Sequence, residues 1–211
     1  MIMVGEIRDK ETAELGIHAS LTGHLVFSTL HTNDVFGLVP RMLDMGVEPY
    51  LLAATLNLGV AQRLARKICE HCKEPLVPDP AALKKVMDEI SKIPPKYFIS
   101  GIPDPAKPPA FYKGKGCDRC GHTGYAGRIA VAELLQFDDH VRVLVQEGFK
   151  IEHVLVEARK QGMITLRQDG LLKALDGLTS LEEVFRVAQE TSEDENEIKK
   201  KEEKKSGAPT S

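Results

Sequence analysis

Four cysteines stand in this chain as two Cys-x-x-Cys pairs, Cys69-Glu70-His71-Cys72 and Cys117-Asp118-Arg119-Cys120. Two such knuckles can supply four thiolates at the corners of a tetrahedron, the arrangement a structural Zn²⁺ takes. A fold that uses them together must bring the chain back across the 44 residues between the pairs. That excursion is longer than compact zinc ribbons use, but closure entropy grows only with the logarithm of loop length. The competing readings are two independent thiol pairs or one redox Cys-x-x-Cys. Spacing favours the metal, so Cys69, Cys72, Cys117 and Cys120 are the expected zinc ligands. His71 and His122 lie close enough in sequence to replace a cysteine, but four sulfurs suffice without them.

The first residues, Met1-Ile2-Met3-Val4-Gly5-Glu6, carry no basic region and their apolar run stops after four residues. They are not a signal peptide. No run of about 18 apolar residues occurs, so no transmembrane helix is expected. The chain is therefore expected in the cytoplasm, where reduced cysteines serve as ligands or thiols rather than disulfides.

Ahead of the knuckles the pattern is that of an α/β unit. Residues 1–4 read as the end of a buried strand. Residues 9–22 read as a helix, with Ala13, Ile17 and Leu21 at spacing four and Gly23 where it stops. His24 to Leu30 reads as a second strand, rich in Val26, Phe27 and Thr29. Helices are expected near 34–45 and 49–58, each closed by a glycine. Between the knuckles, one helix at 80–92 precedes the Pro-rich stretch from Pro94 to Pro109. Gly127 to Leu135 reads as a returning strand, and residues 138–189 as three or four short amphipathic helices. Aromatics are only 5% of the chain, so the core is expected to rest on Leu, Ile, Val and Ala.

From Glu190 to Lys205 the chain is almost all charge, with seven acids and five lysines, and is expected to be disordered. Without that tail the net charge is -1, from 24 acids and 23 bases. A near-neutral body with few aromatics argues against a nucleic-acid-binding role.

The chemistry-bearing residues lie at strand ends. Glu6 follows the first strand, and ligands of open α/β sheets bind at the carboxyl ends of strands. There a carboxylate can hold a magnesium-bound water or polarise an attacking one. A capping acid at a plain turn is the bland alternative. His24 and His31 bracket the second strand. If that strand lies parallel beside the first, His31 and Glu6 face the same edge, where an imidazole can bond a phosphate. A turn in which Asn33-Asp34 caps the next helix is the competing reading. For Arg8 and Asp9 the bland readings are an ion pair and an N-cap.

The run Met3-Val4-Gly5-Glu6-Ile7-Arg8-Asp9, with Thr22-Gly23-His24-Leu25-Val26-Phe27-Ser28-Thr29-Leu30-His31-Thr32-Asn33-Asp34, closely resembles the type II secretion and type IV pilus assembly ATPase family. It is similar to that family's Walker B strand followed by its His box. The resemblance continues through Arg41 to Val47, Ala61-Gln62-Arg63-Leu64, Gly124 to Arg128 and Glu133-Leu134-Leu135, and covers nearly all of residues 1–189. It implies a partial RecA-like P-loop NTPase fold with a zinc-binding insertion and a C-terminal helical part. The implied divisions are the ATPase core at 1–68, the tetracysteine insertion at 69–120, the returning strand and helices at 121–189, and the charged tail at 190–211. By the same resemblance Glu6 is the Walker B acid, acting on Mg²⁺ or its water. His24 and His31 are the His-box pair, with His31 near the γ-phosphate of ATP, and Arg63 lies close to the nucleotide. Arg128 matches a motif arginine, for which the bland reading is a structural salt bridge. The implied partners are further copies in a homohexamer and an inner-membrane platform protein, which would hold the chain at the membrane from the cytoplasm. The tetracysteine element belongs to the family's assembly branch, not to its retraction motors.

No Gly-x-x-x-x-Gly-Lys loop occurs in the sequence. Lys113-Gly114-Lys115-Gly116 has the wrong spacing and feeds the second knuckle. The expectation is a fragment running from Walker B onward that hydrolyses ATP poorly by itself. A zinc-containing docking module without catalysis is the alternative.

Overall fold

A computed structural model describes residues 1–98 and 109–188. The charged tail and most of the Pro-rich stretch lie outside the described residues. The architecture is mixed α/β and divides into two compact units. One holds Met1–Ala61 and Leu134–Met163, and the other holds Gln62–Glu133 and the described residues from 164 on.

The first unit starts with β1 (Ile2–Val4), α1 (Lys10–Leu21) and β2 (Val26–Ser28). The two strands pair in parallel, Ile2 with Val26 and Val4 with Ser28. Asp9 caps α1, its carboxylate accepting from Thr12 N at 2.8 Å. That backbone N–H holds the carboxyl below the usual range. The helix closes before Gly23, whose φ of +89° costs a side-chain-bearing residue strain. Ala13, Gly16 and Ile17 form its buried stripe. The strand expected to be buried is not, since Met3 is 81% exposed. Among the described residues β1 has β2 as its only strand neighbour, so its other hydrogen-bonding edge is unpaired there.

Helix α2 (Leu38–Asp44) begins later than expected, because Asp34 closes a turn by accepting from Gly37 N at 2.9 Å. Helix α3 (Pro49–Thr55) ends earlier, and the chain continues as β3 (Leu58–Ile68), a strand that hydrophobic periodicity had not revealed. β3 pairs with β6 (Tyr125–Gln136), the returning strand. Helices α5 (Asp139–Gln146) and α6 (Ile151–Gln161) complete the first unit. Its core gathers Ile17, Val35, Phe36, Leu52 and Leu135 with Phe137 and Val141. Most buried side chains are Val, Leu, Ile and Ala, as expected, with a few phenylalanines set among them. Phe36, Phe111 and Phe137 are the largest fully buried side chains among the described residues, since one ring fills a volume that would take several smaller groups.

In the second unit β4 (Lys73–Leu76) pairs antiparallel with β5 (Phe111–Gly114), which closes the long excursion between the knuckles. Helix α4 (Pro80–Ile90), N-capped by Asp79, packs Val86 and Ile90 around Phe111 together with Leu171 of α7 (Leu166–Leu175) and Val184 of α8 (Leu181–Val187). Thr165 and Gln168 form a reciprocal capping box at the start of α7. The fully buried Glu133 accepts from Leu166 N at 3.1 Å and ties β6 to that helix start.

Candidate functional site

The parallel register of β1 and β2 sends both carboxyl ends to one edge. Pairing persists past the strands, with Ile7 N donating to Thr29 O at 3.0 Å and Thr29 Oγ1 donating to Gly5 O at 2.8 Å. This places Glu6 and His31 together, His31 Nε2 against Glu6 Oε1. The other oxygen, Oε2, accepts from Arg8 Nε at 2.6 Å. The Glu6 side chain is 24% exposed, whereas that of His31 is 83% exposed. A half-buried carboxylate with a solvent-facing imidazole on one oxygen can order a water or a hydrated cation at the strand edge.

His24 is not brought to this edge. It precedes β2 and His31 follows it, so the two imidazoles mark opposite ends of the strand. His24 Nδ1 lies 3.2 Å from Ala19 O and 3.1 Å from Thr22 Oγ1, at the C-terminus of α1. Arg63 is on β3 in the second unit, its Nη1 donating to Gln62 O at 3.3 Å. Arg128 is exposed on β6.

The four cysteines converge. Their sulfurs all lie within 4.8 Å of one another. Cys69 to Cys117 and Cys72 to Cys120 are each 3.9 Å, and Cys117 to Cys120 is 3.8 Å. A tetrahedron of thiolates about 2.3 Å from Zn²⁺ has edges of roughly 3.8 Å, so the cluster has the size of such a shell. Backbone N–H groups already point at the sulfurs: Gly116 N at Cys72, and Cys117 N and Gly124 N at Cys120, each at 3.3 Å. Burial pushes the Cys72 thiol up to about 12. The N–H groups of Cys117 and Gly124 outweigh burial at Cys120 and hold it at about 6. The histidines stay out of the cluster. His71 Nε2 lies 2.9 Å from Arg119 Nη1, and His122 Nε2 lies 3.1 Å from Asp118 Oδ1.

Glycines let the knuckles close. Gly124, at φ +78°, receives the Cys69 N–H on its carbonyl, and a Cβ on it would lie 2.5 Å from Gly114 O. Gly124→Ala is expected to cost about 2 kcal/mol or more, from left-handed strain plus a backbone clash beside the sulfurs. Thermal unfolding with metal analysis checks this, and an unchanged Tm would show that the knuckle yields.

A second charged cluster escaped sequence reasoning. Glu183 on α8 has a fully buried side chain. It accepts from Arg66 N at 2.8 Å, Arg66 Nη2 at 2.6 Å, and Arg186 Nε and Nη2 at 2.6 and 2.7 Å. Burial alone would raise its pKa, but the Arg186 and Arg66 hydrogen bonds prevail and hold it at about 2.

The family described as "Type II/IV secretion system protein" matches residues 1–186. The chain belongs to this family. Within it, the chain is 47% identical over 186 residues to the type IV pilus assembly ATPase PilB of Thermus thermophilus, covering 88% of this chain and 19% of that protein. It is 44% identical over 190 residues to the type II secretion system protein E of Pseudomonas aeruginosa, covering 90% of this chain and 35% of that protein. The chain thus spans about a third or less of these relatives. Among solved structures, that of the pilus retraction motor PilT with bound ADP superposes with a TM-score of 0.56 at 22% identity, over 92% of this chain and 41% of that one. The Legionella pneumophila ATPase DotB gives 0.53 at 20% identity, over 88% of this chain and 38% of that one. These likenesses establish a fold of the P-loop ATPase kind for this member of the family. Among the described residues no helix is long and apolar enough to cross a membrane.

Proposed function

We propose that this chain forms the Walker B and His-box part, with a zinc-binding insertion, of a motor ATPase that couples ATP hydrolysis to type II secretion or type IV pilus assembly. The observation that carries the reading is Glu6 paired with His31 at the carboxyl edge of the parallel β1–β2 pair. Membership of a family whose relatives carry those names supports it. In this reading Glu6 acts on the shell of Mg²⁺, and His31 answers to the terminal phosphate of ATP. His24 holds the far end of β2, and Arg63 serves near the nucleotide. A phosphate-binding loop from outside this sequence completes the site. The four cysteines hold one Zn²⁺ as a structural clamp. Six copies form the ring, which works in the cytoplasm against an inner-membrane platform protein.

The test uses a polypeptide that carries these residues together with a phosphate-binding loop. Glu6→Gln is expected to lower ATP turnover on the order of 100-fold, with ATP affinity changed only a few-fold. His31→Ala is expected to lower turnover by about tenfold more than binding. Equal loss of binding and turnover would make His31 structural. Unchanged turnover in both variants would take Glu6 and His31 out of the catalysis, and no turnover in the parent polypeptide would leave the zinc docking module as the better account.

A further inference from the structure

Beyond that catalytic reading, the second unit presents a pocket of about 520 Å³ lined by Leu64, Arg66, Arg128 and Arg186. Three guanidinium groups at one opening repel each other unless anions compensate them. One is compensated from below, since buried Glu183 carries a single charge and binds both Arg66 and Arg186. The exposed Arg128 side chain forms no hydrogen bond or ion pair among the described residues. Glu182 is close enough to act on Arg186, but it is exposed and does not line the pocket, so solvent screens it. Among the described residues, three positive charges less one buried negative charge leave an excess of two at the opening.

The arginines are also held in place. The four donors on Glu183 fill the positions a carboxylate offers. The Arg66 guanidinium lies 4.1 Å from the Tyr125 ring centroid, and Tyr125 is itself tied to Ser180 Oγ at 2.8 Å. Each guanidinium has five N–H groups, and the bonds to Glu183 use only part of them. The side chains of Arg66 and Arg186 remain 41% and 52% exposed, so spare donors face the opening. Donors fixed before a ligand arrives cost little ordering entropy on binding.

The geometry points to a binding site for a phosphate monoester at Arg66, Arg128 and Arg186. A phosphate carries about 1.5 to 2 negative charges at neutral pH, which matches the excess, whereas a single carboxylate supplies one. Guanidinium forks suit its tetrahedral oxygens. The pocket is much larger than a phosphate ion, and half-exposed Leu64 offers an apolar wall to the organic part of an ester.

Calorimetric titration of the full 211-residue chain tests this, with inorganic phosphate and phenyl phosphate as probes and chloride holding ionic strength constant. Saturable 1:1 binding is expected, several-fold tighter for phenyl phosphate, and stronger at pH 7.5 than at pH 5.5 as the dianion forms. Arg128→Ala is expected to weaken both ligands at least tenfold while leaving Tm unchanged, because the side chain is exposed and unpaired. Arg128→Lys, which keeps the charge but not the fork, should recover only part of the loss. Inorganic phosphate binding more tightly than the ester would overturn the assignment to an ester. Absence of saturation, or equal binding by Arg128→Ala, would overturn the site.

Discussion

Stripping the metal from the chain under reducing conditions is expected to unfold the knuckle region, and metal analysis beforehand is expected to find about one zinc per chain. Three of the sulfur–sulfur separations already stand at 3.8–3.9 Å and all lie within 4.8 Å, so the cluster is close to the size of a filled shell. Binding free energy at such a site is folding free energy, because the unfolded chain holds no preformed site. Cys120→Ser should therefore reduce zinc content to near zero and remove several kcal/mol of stability from the second unit. Cys120 is the informative position, since its sulfur accepts the Cys117 and Gly124 N–H groups and so organises the second knuckle. A zinc-free chain with the same Tm as the loaded one would defeat the clamp.

Glu183→Ala is expected to cost about 3–5 kcal/mol, because it strands two arginines and a backbone N–H that converge on a fully buried carboxylate. Native-state hydrogen exchange on β3 and α8 would show the loss locally, and protection equal to wild type would refute it. The same group predicts an acid limb. Its pKa is about 2 in the folded chain against 4.5 for the free side chain. A depressed carboxyl contributes stability that is complete above about pH 4.5 and fades as pH falls towards 2. The amount is about 3 kcal/mol at about 1.4 kcal/mol per pH unit. Glu183→Gln should flatten that limb, and an unchanged acid transition would place it elsewhere.

How much of this was legible in the residues varied with the range of the interaction. The cysteine cluster was, because Cys-x-x-Cys spacing is a local property and only the meeting of the two pairs is tertiary. The Glu6–His31 pair was, because two short apolar runs around a helix imply parallel neighbours whose ends share an edge. β3 was not. Its inward positions are Gly59, Ala61, Ala65 and Ile68, while Leu58, Val60 and Leu64 face outward, so the usual apolar alternation is masked and partly inverted. The small residues are needed there: a Cβ on Gly59 would lie 2.7 Å from Val35. The Glu183 clamp was equally hidden. Its partners Arg66 and Glu183 are 117 residues apart, and neither neighbourhood carries a signature of the other.

Local chemistry in the sequence thus set the helix caps at Asp9, Asp79 and Thr165, the glycine stops, the knuckles and the acid after β1, since each depends on neighbours a few residues away. Tertiary structure decided which face of β3 turns inward and which aromatic rings fill the cores. It also set His24 apart from the Glu6–His31 edge and brought Arg66 and Arg186 onto Glu183. These outcomes depend on volume filled and charge compensated between distant segments, and the chain meets those constraints only after it has folded.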